Sequence, residues 1–479
     1  MAVPDSCIFR GTPYVTGVAS AKLLAADLEL SFWGGVDPRT GEVIDRFHPL
    51  SGRLLKDTIL AIPGGRGSCG GSVIMMELIL NGLGPKALVF ERREEIITLG
   101  VMVAEELFEK TAAVVTLNPA DFRQVLSWDG KTVHIQGEQV SDAPLNGSTT
   151  NEAVEPAIDI ETFGIQLSDA DRAMLDGANG EAARVSLKII IRMAHMMGAP
   201  ELMNVSQAHA DAAWYGPGSV AFGQRLRAWG GQFRLPTTIN SLNVDQKRWQ
   251  ALGVNAEFGS ACDELAKAFI DMGGKISFTC APYLLETAPK LGDSIAWGES
   301  NAVIYANNVL GARTLKNPNL FEALIALTGR APKAGAYVDE NRLASVWLRA
   351  TLSAPLQPLA FQSLLDWNIS SPTKKEDVAV VVTCGRAQYG LASQAGYIEE
   401  LERFGVQFLQ DTCWCSIEEP IIRKNTRTIM TNSGKYIHYG PGLTGRQFAF
   451  GNLEMCVDAA CTRNTTGDPP VWLLNARTT

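Results

Sequence analysis

Residues 58–72 read Thr-Ile-Leu-Ala-Ile-Pro-Gly-Gly-Arg-Gly-Ser-Cys-Gly-Gly-Ser, an apolar run that leads into a loop with five glycines. The apolar run at 58–62 predicts a strand. Residues 72–82, which follow directly, have helical spacing and a glycine stop, and therefore predict a helix. A strand that enters a helix through a glycine loop is typical of an α/β protein.

The same alternation continues around the loop. Strands are predicted at 28–33, 86–90 and 114–117 and a helix at 101–108, which gives a compact α/β unit ending near residue 140. Residues 141–152 have linker composition. We therefore predict a small domain over 1–142, a linker over 143–153 and a larger α/β domain over 154–479. In the larger domain, helices are predicted at 168–177, 180–197, 262–272, 318–328 and 392–404, and strands at 277–280, 302–306 and 377–383.

Composition limits the function classes. The chain has 479 residues, of which 46% are hydrophobic and 19% charged, as expected of a globular protein with two to four domains. The net charge of −9 argues against binding to nucleic acid or to an anionic membrane. Nine cysteines without disulfide-like density favour a reducing compartment. Since the sequence shows no secretion signal and no apolar run of membrane-spanning length, we expect a cytoplasmic location.

The glycine loop has two interpretations. It lacks the Lys-Ser/Thr of a P-loop and the G-x-G-x-x-G of a dinucleotide fold, so it is either a tight turn or a loop whose backbone approaches a ligand. Ser68 lies between Arg66 and the start of the helix. Donors at Arg66, Gly67 and the helix N-terminus would stabilise an alkoxide at Ser68, which a proton-abstracting base requires.

Three cysteines form a second candidate group. Cys280 stands alone in Phe-Thr-Cys-Ala-Pro-Tyr, whereas Cys413 and Cys415 flank one tryptophan. Three thiolates can hold an iron–sulfur cluster and leave one iron position free for a substrate oxygen. The spacing alone is also compatible with buried, inert thiols. The sequence has no H-E-x-x-H or C-x-x-C pair, so a zinc enzyme is not expected.

Several polar motifs lie in separate parts of the larger domain. Any one of them alone is explained by turns or surface hydrogen bonds. Together they suggest loops that converge on a small polar substrate. The residues concerned are His209, Asp211, Thr238, Asn240, Glu299, Ser300, Arg313, Ser433, Lys435 and His438.

These motifs, in this order, resemble the aconitase X family over nearly the whole chain. The glycine loop resembles the serine loop of the family's small swivelling domain. Further segments resemble the signatures of the family's catalytic domain. They are Ala208-His-Ala-Asp, Pro-Thr-Thr-Ile-Asn240, Thr-Cys280-Ala-Pro, Trp-Gly-Glu-Ser300, Gly-Ala-Arg313, Val-Asp339-Glu-Asn-Arg, Asp411-Thr-Cys-Trp-Cys and Thr-Asn-Ser433-Gly-Lys-Tyr. The resemblance implies an α/β protein in which a small swivelling β/α domain is fused to a larger, aconitase-like catalytic domain.

The resemblance also implies a reaction and a cofactor. Family members are iron–sulfur hydro-lyases. One branch dehydrates cis-3-hydroxy-L-proline to Δ1-pyrroline-2-carboxylate, and an archaeal branch dehydrates mevalonate 5-phosphate. The Cys-Trp-Cys of this chain resembles that of the first branch, which uses a [2Fe–2S] cluster. The second branch has a Gly-Cys-Pro-His segment, which this chain lacks. The resemblance therefore favours the hydroxyproline branch and a hydroxylated imino acid as substrate.

Residue roles follow from the same resemblance. Ser68 is expected to be the base, aided by Arg66, while Lys435, Asn240 and His209 contact the substrate carboxylate or ring nitrogen. The catalytic set is thus Ser68, Arg66, His209 and Lys435, and the cluster ligands are Cys280, Cys413 and Cys415. The substrate-binding set is Gly67, Asp211, Thr238, Asn240, Glu299, Ser300, Arg313, Ser433 and His438.

The chain departs from the family at two places. A family block is reduced here to residues 352–375, and Arg-Thr-Leu-Lys at 313–316 replaces the usual Arg-Thr-Asn. The open alternatives are a mevalonate 5-phosphate dehydratase, a hydroxy-acid racemase or epimerase, and a truncated, cluster-free homologue. The oligomeric state is not indicated by the sequence.

Overall fold

The computed structural model describes residues 7–145, 160–342 and 377–463. These residues belong to two compact units, one of 1–240 with 261–343 and one of 241–260 with 344–479. The shortened segment 352–375 and most of the predicted linker lie outside the described residues. Within the described part, no helix has the length and apolarity needed to cross a bilayer.

The first unit opens with an eight-stranded mixed sheet. Its strands are β1 (Ile8–Arg10), β2 (Thr12–Val15), β3 (Val18–Ala25), β4 (Thr58–Ile62), β5 (Ala87–Phe90), β6 (Ala113–Thr116), β7 (Thr132–Gln136) and β8 (Gln139–Ser141). Their order is β1-β8-β7-β3-β4-β5-β6-β2. β3 to β6 are parallel, and the remaining pairs are antiparallel. The parallel strands β4 and β5 are buried along almost their full length, which explains their continuous apolar sequences.

Three helices follow the parallel strands: α1 (Gly71–Leu80), α2 (Glu95–Phe108) and α3 (Pro119–Leu126). α1 is buried from Gly71 to Ile79, as expected of a helix that is apolar on all sides. α2 packs directly on it at Gly100. A Cβ atom at Gly100 would overlap the carbonyl oxygen of Ser72 and lie 3.0 Å from Met75 Cβ. The position of α1, and of the loop before it, therefore depends on this glycine.

The rest of the first unit is built around buried helices and a short parallel sheet. Its elements are α4 (Asp169–Leu175), α5 (Glu181–Met197), β9 (Leu202–Asn204), β10 (Ala208–Ala210), α6 (Pro217–Ala228), β11 (Thr237–Ile239), α7 (Ala256–Asp271), β12 (Ala296–Trp297), α8 (Ser300–Tyr305), α9 (Phe321–Thr328) and β13 (Arg330–Pro332). The parallel sheet has the order β11-β10-β12. α9 is buried at every residue. α5 buries one apolar face and ties to α2 through Arg192, whose guanidinium lies 2.7 Å from Glu106.

The second unit has two short parallel sheets. Its elements are β14 (Val380–Cys384), α10 (Arg386–Gln394), α11 (Tyr397–Phe404), β15 (Val406–Gln410), β16 (Thr428–Thr431), α12 (Gly434–Thr444), β17 (Gln447–Phe450) and α13 (Leu453–Thr462). β14 pairs with β15, and β16 pairs with β17. Each sheet is therefore a strand–helix–strand unit with its helices in the crossover.

The predicted α/β class is confirmed, together with the strand–loop–helix order around Ser68. Three short strands were predicted wrongly. Residues 302–306 lie in α8 and in the π-helical segment Ala306–Leu310 that continues it. Residues 277–280 form no strand, and 28–33 form only a single bridge between Leu30 and Gly65. Apolar runs this short have no periodicity that separates strand from helix, so tertiary packing decides.

We expect Gly100→Ala to destabilise the protein by about 1–3 kcal/mol, because the added methyl group overpacks the contact between α1 and α2. Gly390→Ala is the matched control. Gly390 also lies inside a helix, and nothing is within 4 Å of its Cβ position. The substitution should therefore leave the free energy of unfolding unchanged or raise it by up to about 1 kcal/mol. Urea unfolding of both variants checks this, and equal midpoints would contradict the packing argument.

Candidate active site

The ends of three parallel strands form the base of the candidate site. In the register of this sheet, His209 of β10 lies opposite Thr238 of β11 and Trp297 of β12. Because parallel strands end at one edge of a sheet, the residues that follow them come together there. The residues that follow are Asp211, Asn240 and Glu299. Asn240 Nδ2 lies 3.5 Å from Glu299 Oε2, so the topology joins three of the predicted residues.

The His209 side chain holds two neighbouring segments in place. Its Nε2 lies 3.0 Å from the carbonyl oxygen of Thr279, and its Nδ1 lies 2.7 Å from Thr238 Oγ1. A carbonyl only accepts, so Nε2 carries the proton and Nδ1 accepts from the Thr238 hydroxyl. Burial lowers the pKa of His209 to about 4, which keeps the ring neutral at pH 7. Both nitrogens are used within the protein, and this geometry favours positioning of Thr279, next to Cys280, over direct proton transfer.

Asp211 is the centre of a hydrogen-bond network. The Tyr215 hydroxyl donates to Asp211 Oδ2 at 2.9 Å, and Asn319 Nδ2 donates to the same oxygen. Burial raises the pKa of Tyr215 well above its ordinary value, and the negative charge of Asp211 raises it further. Tyr215 is therefore a neutral donor that fixes the orientation of the carboxylate.

Residues 316–319 attach the glycine loop to this network. The backbone N–H of Asn319 donates to the Cys69 carbonyl at 3.1 Å, and Ser72 Oγ donates to the Asn319 carbonyl at 2.7 Å. Lys316 Nζ donates to the Gly67 carbonyl. Because Asn319 contacts the loop with its backbone and Asp211 with its side chain, the glycine loop lies beside the Asp211 network.

Two glycines permit this close approach. Gly67 has φ of +84°, a conformation that side chains rarely adopt. A Cβ atom at Gly70 would lie 3.2 Å from the Trp33 ring and 3.4 Å from the Tyr215 ring. The loop therefore needs glycine for its turn at one position and for its packing at the other.

Ser68 lies in this loop with 9% of its surface exposed. The Gly70 N–H donates to Ser68 Oγ at 3.2 Å, and α1 begins one residue later, so the positive end of the helix dipole is close to the hydroxyl. Arg66 pairs with Asp45 at 2.9 Å, and its buried Nε has no partner in the part of the chain that the structure describes. These groups favour negative charge at Ser68, although Asp45 offsets part of the Arg66 charge.

A buried carboxyl, Glu322, lies close to the strand ends. It is 1% exposed, and a side chain at Gly298 would overlap its Oε1. Burial raises the pKa of Glu322 well above its ordinary value, and the charges of Asp211 and Glu299 raise it further. Among the described residues its Oε2 has no hydrogen-bond partner. These surroundings favour the protonated form of the Glu322 carboxyl group.

Ser300 and Arg313 are placed by the segment that follows β12. Ser300 is the first residue of α8, with Glu299 at the cap position. Arg313 pairs with Asp339 at 2.7 Å, which links two of the motifs. The charge of Arg313 is thus already offset by a carboxylate.

Cys280 follows a strained backbone position. Phe278, two residues before it, has φ of +38° and is 1% exposed. Left-handed conformations of non-glycine residues are costly and cluster at functional sites. Asn301 Nδ2 donates to the Cys280 carbonyl at 3.0 Å, so the backbone around the thiol is held from both sides.

In the second unit, Cys413 follows the same pattern. Asp411, two residues before it and directly after β15, has φ of +63°. Arg386 contacts both carboxylate oxygens of Asp411, at 2.6 and 2.8 Å. The Cys413 N–H donates to the Leu242 carbonyl at 3.1 Å. Cys415 is buried in the 3₁₀ turn Trp414–Ser416 that follows.

α12 carries the remaining predicted residues of this unit. Ser433 caps the helix, since its Oγ accepts from the Tyr436 N–H at 3.2 Å. Lys435 lies in the first turn and is half-buried, whereas His438 is exposed and packs on the Tyr439 ring at 4.6 Å.

The structure therefore gathers the predicted residues within each unit. The first unit brings the Ser68 loop to Asp211, Asn240 and Glu299. Cys280 belongs to the first unit, whereas Cys413 and Cys415 belong to the second, so a shared cluster stays a prediction. Within either unit taken alone, the described residues contain no three His, Cys, Asp or Glu side chains close enough to hold a metal ion.

The other cysteines are less suited to metal binding. Burial raises the pKa of both Cys384 and Cys456 to about 11, and metal ligands must be thiolates. Cys262 and Cys461 are buried, at 1% and 4% exposure. Since Cys415 is buried as well, at 8% exposure, the choice of Cys280, Cys413 and Cys415 stays a prediction.

Sequence reasoning missed five residues of the site: Asp45, Tyr215, Lys316, Asn319 and Glu322. Asp45, Lys316 and Asn319 act through partners 21 or more positions away, so no local spacing marks them. Tyr215 lies only four residues from Asp211, but an Asp and a Tyr at that spacing form no recognised motif. The one signal available was the unusual Leu-Lys at 315–316, which places Lys316 on the Gly67 carbonyl.

Three family models match the chain. The aconitase X swivel domain matches residues 8–141, the aconitase X first domain matches 164–340, and the aconitase X third domain matches 360–462. The chain belongs to the aconitase X family.

Two relatives within the aconitase X family match almost their full length. The cis-3-hydroxy-L-proline dehydratase of Hypocrea jecorina is 43% identical, with 96% of each chain covered. The cis-3-hydroxy-L-proline dehydratase of Pseudomonas aeruginosa is 36% identical, with 96% of this chain and 97% of that protein covered. The first alignment spans 574 positions, more than the 479 residues of this chain. The fungal relative therefore has internal residues that this aconitase X chain lacks, in agreement with the predicted shortening.

A solved aconitase X structure supports the fold. The holo-form of the Thermococcus kodakaraensis protein matches 62% of this chain and all of its own length, with a TM-score of 0.53 and 20% identity. At this identity, the likeness concerns the fold alone.

We expect stability to decrease with acidification because of His209. Its pKa is about 4 in the folded chain, below the ordinary value of about 6.5. The unfolded state therefore binds more protons than the folded state. The contribution of neutral His209 to the free energy of unfolding is complete above pH 6.5 and is lost as the pH falls to 4. The loss is about 3 kcal/mol at the low end.

Urea unfolding at pH 7 and pH 4.5 measures this loss. His209→Gln keeps a donor and an acceptor but does not titrate, so it should lack most of the additional loss. His134→Gln, at a half-buried histidine of β7, should follow the unmodified chain. Parallel pH profiles for the unmodified chain and His209→Gln would contradict the prediction.

Proposed function

We propose that this chain dehydrates cis-3-hydroxy-L-proline to Δ1-pyrroline-2-carboxylate with an iron–sulfur cluster, of the [2Fe–2S] type, held by Cys280, Cys413 and Cys415. The observation that carries the proposal is the Ser68 loop bonded beside Asp211 at the ends of the parallel strands. Two relatives that carry this activity in their names, both aligned over 96% of the chain, support the choice of reaction.

The charges around the strand ends support this substrate class. Asp211 and Glu299 are acidic, while Arg66 and Arg313 are each paired with a carboxylate. A zwitterionic imino acid brings a ring ammonium that complements such a site. A phosphorylated substrate would bring two negative charges and would need unpaired cations instead. The site therefore favours the imino acid over mevalonate 5-phosphate.

The residues present fit an iron–sulfur cluster. The donor set is three thiols, two of which follow a Thr in a strained turn, and a buried hydroxyl of Tyr436 beside Cys413 and Cys415 has no hydrogen-bond partner in the described residues. A polar group of this kind is expected where a charged cofactor is to be bound. When bound, the cluster would supply Lewis acidity toward the departing 3-hydroxyl group.

Ser68 is the proposed base. As an alkoxide, it takes the proton from the carbon next to the carboxylate. The C–H electron pair forms the new double bond, and the hydroxyl group leaves from C3 with its bonding pair as hydroxide. The hydroxide takes a proton from solvent to become water, and Ser68 gives the abstracted proton to solvent, which regenerates the alkoxide. The Gly70 N–H and the start of α1 stabilise the negative charge on Ser68 Oγ. The enamine product then tautomerises to the cyclic imine in solution.

The remaining predicted residues bind or position. We assign Asn240 and Lys435 to the substrate carboxylate, and Asp211 and Glu299 to the ring ammonium. His209 acts through Thr279, which it holds next to Cys280.

Anaerobically purified protein should convert cis-3-hydroxy-L-proline to Δ1-pyrroline-2-carboxylate and contain iron and sulfide. The trans isomer should react poorly because its leaving group points to the other ring face, and mevalonate 5-phosphate should not react. Product NMR measures all three. Exchange or inversion at the α-carbon without loss of water would indicate an epimerase, and absence of iron would indicate a cluster-free homologue.

Ser68→Ala should lower kcat by at least about 10⁴-fold, the upper end for general-base catalysis, since no second base is proposed. Ser127→Ala is the matched control, because Ser127 is an exposed serine of the same domain at the end of α3. Iron content and the visible spectrum should be unchanged in both variants. Near-normal turnover by Ser68→Ala would remove Ser68 from the mechanism.

A further inference from the structure

Tyr436, in the second unit, has a buried hydroxyl group for which its surroundings offer no structural reason. It lies in the first turn of α12 and is 0% exposed. Its ring packs against Trp414 at 5.7 Å and edge-on against Phe448 at 4.9 Å. These contacts would serve a phenylalanine equally well.

The Tyr436 hydroxyl has no hydrogen-bond partner among the described residues. A buried, unpaired donor is costly, so its retention requires a partner. The Trp414 ring on which Tyr436 packs stands between Cys413 and Cys415 in the sequence, and α12 contacts the 3₁₀ turn Trp414–Ser416 that contains Cys415. The Tyr436 side chain therefore lies next to the turn that carries these thiols. Arg446 is bonded to Glu419 at 3.0 Å and to the Thr426 carbonyl at 3.1 Å.

We propose that the Tyr436 hydroxyl donates a hydrogen bond to the Cys415 sulfur when that sulfur is a thiolate ligand of the iron–sulfur cluster. This inference depends on the proposed function, because it requires the cluster. Tyr436 is thus a positioning residue that acts through a ligand.

The chemistry of the bond defines its effects. A hydrogen bond to a ligand sulfur withdraws electron density, which stabilises the reduced cluster and raises its reduction potential. It also orients the sulfur toward the metal and slows ligand loss. The thiol form of Cys415 in the cluster-free chain is a poor acceptor, which agrees with the unpartnered hydroxyl.

Tyr436→Phe in the holoprotein tests this directly. The variant removes one oxygen atom and keeps the ring contacts. We expect a more negative reduction potential by redox titration, a shift of the Fe–S(Cys) bands in resonance Raman spectra, and faster loss of iron to a chelator.

Tyr389→Phe is the matched control. Tyr389 lies in α10 of the same unit, packs on Phe408 at 5.8 Å, and stands near Cys384, which is not a proposed ligand. Removal of its hydroxyl should leave the potential and the Raman bands unchanged.

The Tm of the cluster-free protein is a second test, in which Tyr436→Phe should have the opposite effect. There the unpaired hydroxyl is a cost, so Tyr436→Phe should have an equal or higher Tm than the unmodified chain, while the holo-variant has a lower Tm than the unmodified holoprotein. An unchanged potential and spectrum in a cluster-loaded variant would overturn the inference alone. An unmodified chain that holds no iron would overturn the proposed function, and the inference with it.

Discussion

The hydrogen bonds between residues 316–319 and the glycine loop are the constraint on which the site depends. Asn319 donates from its backbone to Cys69 and from its side chain to Asp211, so one residue sets the distance between the loop and the strand ends. Leu320, the next residue, has φ of +81° and is 5% exposed. This left-handed turn leads the chain from the loop contacts into α9. Any movement of the glycine loop away from the strand ends must break these bonds.

The sequence is informative where chemistry and periodicity agree. The apolar run 58–62 and the helix after it predicted β4, α1 and the loop that carries Ser68. Asp211, Asn240 and Glu299 were predicted because they lie in polar motifs that resemble the signatures of the aconitase X family. The partners Asp45 and Asn319 were not, since they contact residues 21 or more positions away. The strand predicted at 277–280 does not form, and the reason is local. Phe278 adopts φ of +38°, which no residue pattern indicates.

The backbone before Cys280 in the first unit and the backbone before Cys413 in the second unit share one unusual conformation. Phe278 precedes Thr279-Cys280, and Asp411 precedes Thr412-Cys413, each with positive φ. In each case a strong contact holds the strained segment: His209 bonds the Thr279 carbonyl, and Arg386 makes two bonds to Asp411. Strain of this kind persists only when surrounding contacts determine the conformation. Cys384 also follows a threonine, but Val382 before it lies in β14 without positive φ, so the backbone conformation separates Cys280 and Cys413 from Cys384.

In the proposed reaction, the charges at the strand ends would couple substrate binding to the base. Asp211 is connected to the Ser68 loop through Asn319, and burial together with the charges of Asp211 and Glu299 raises the pKa of Glu322. An alkoxide at Ser68 would add one more negative charge to this region, which the Gly70 N–H and the α1 terminus only partly offset. The ring ammonium of an imino acid supplies the missing positive charge. Ser68 is therefore expected to remain a hydroxyl in the free protein and to become a strong base only with the zwitterionic substrate in place.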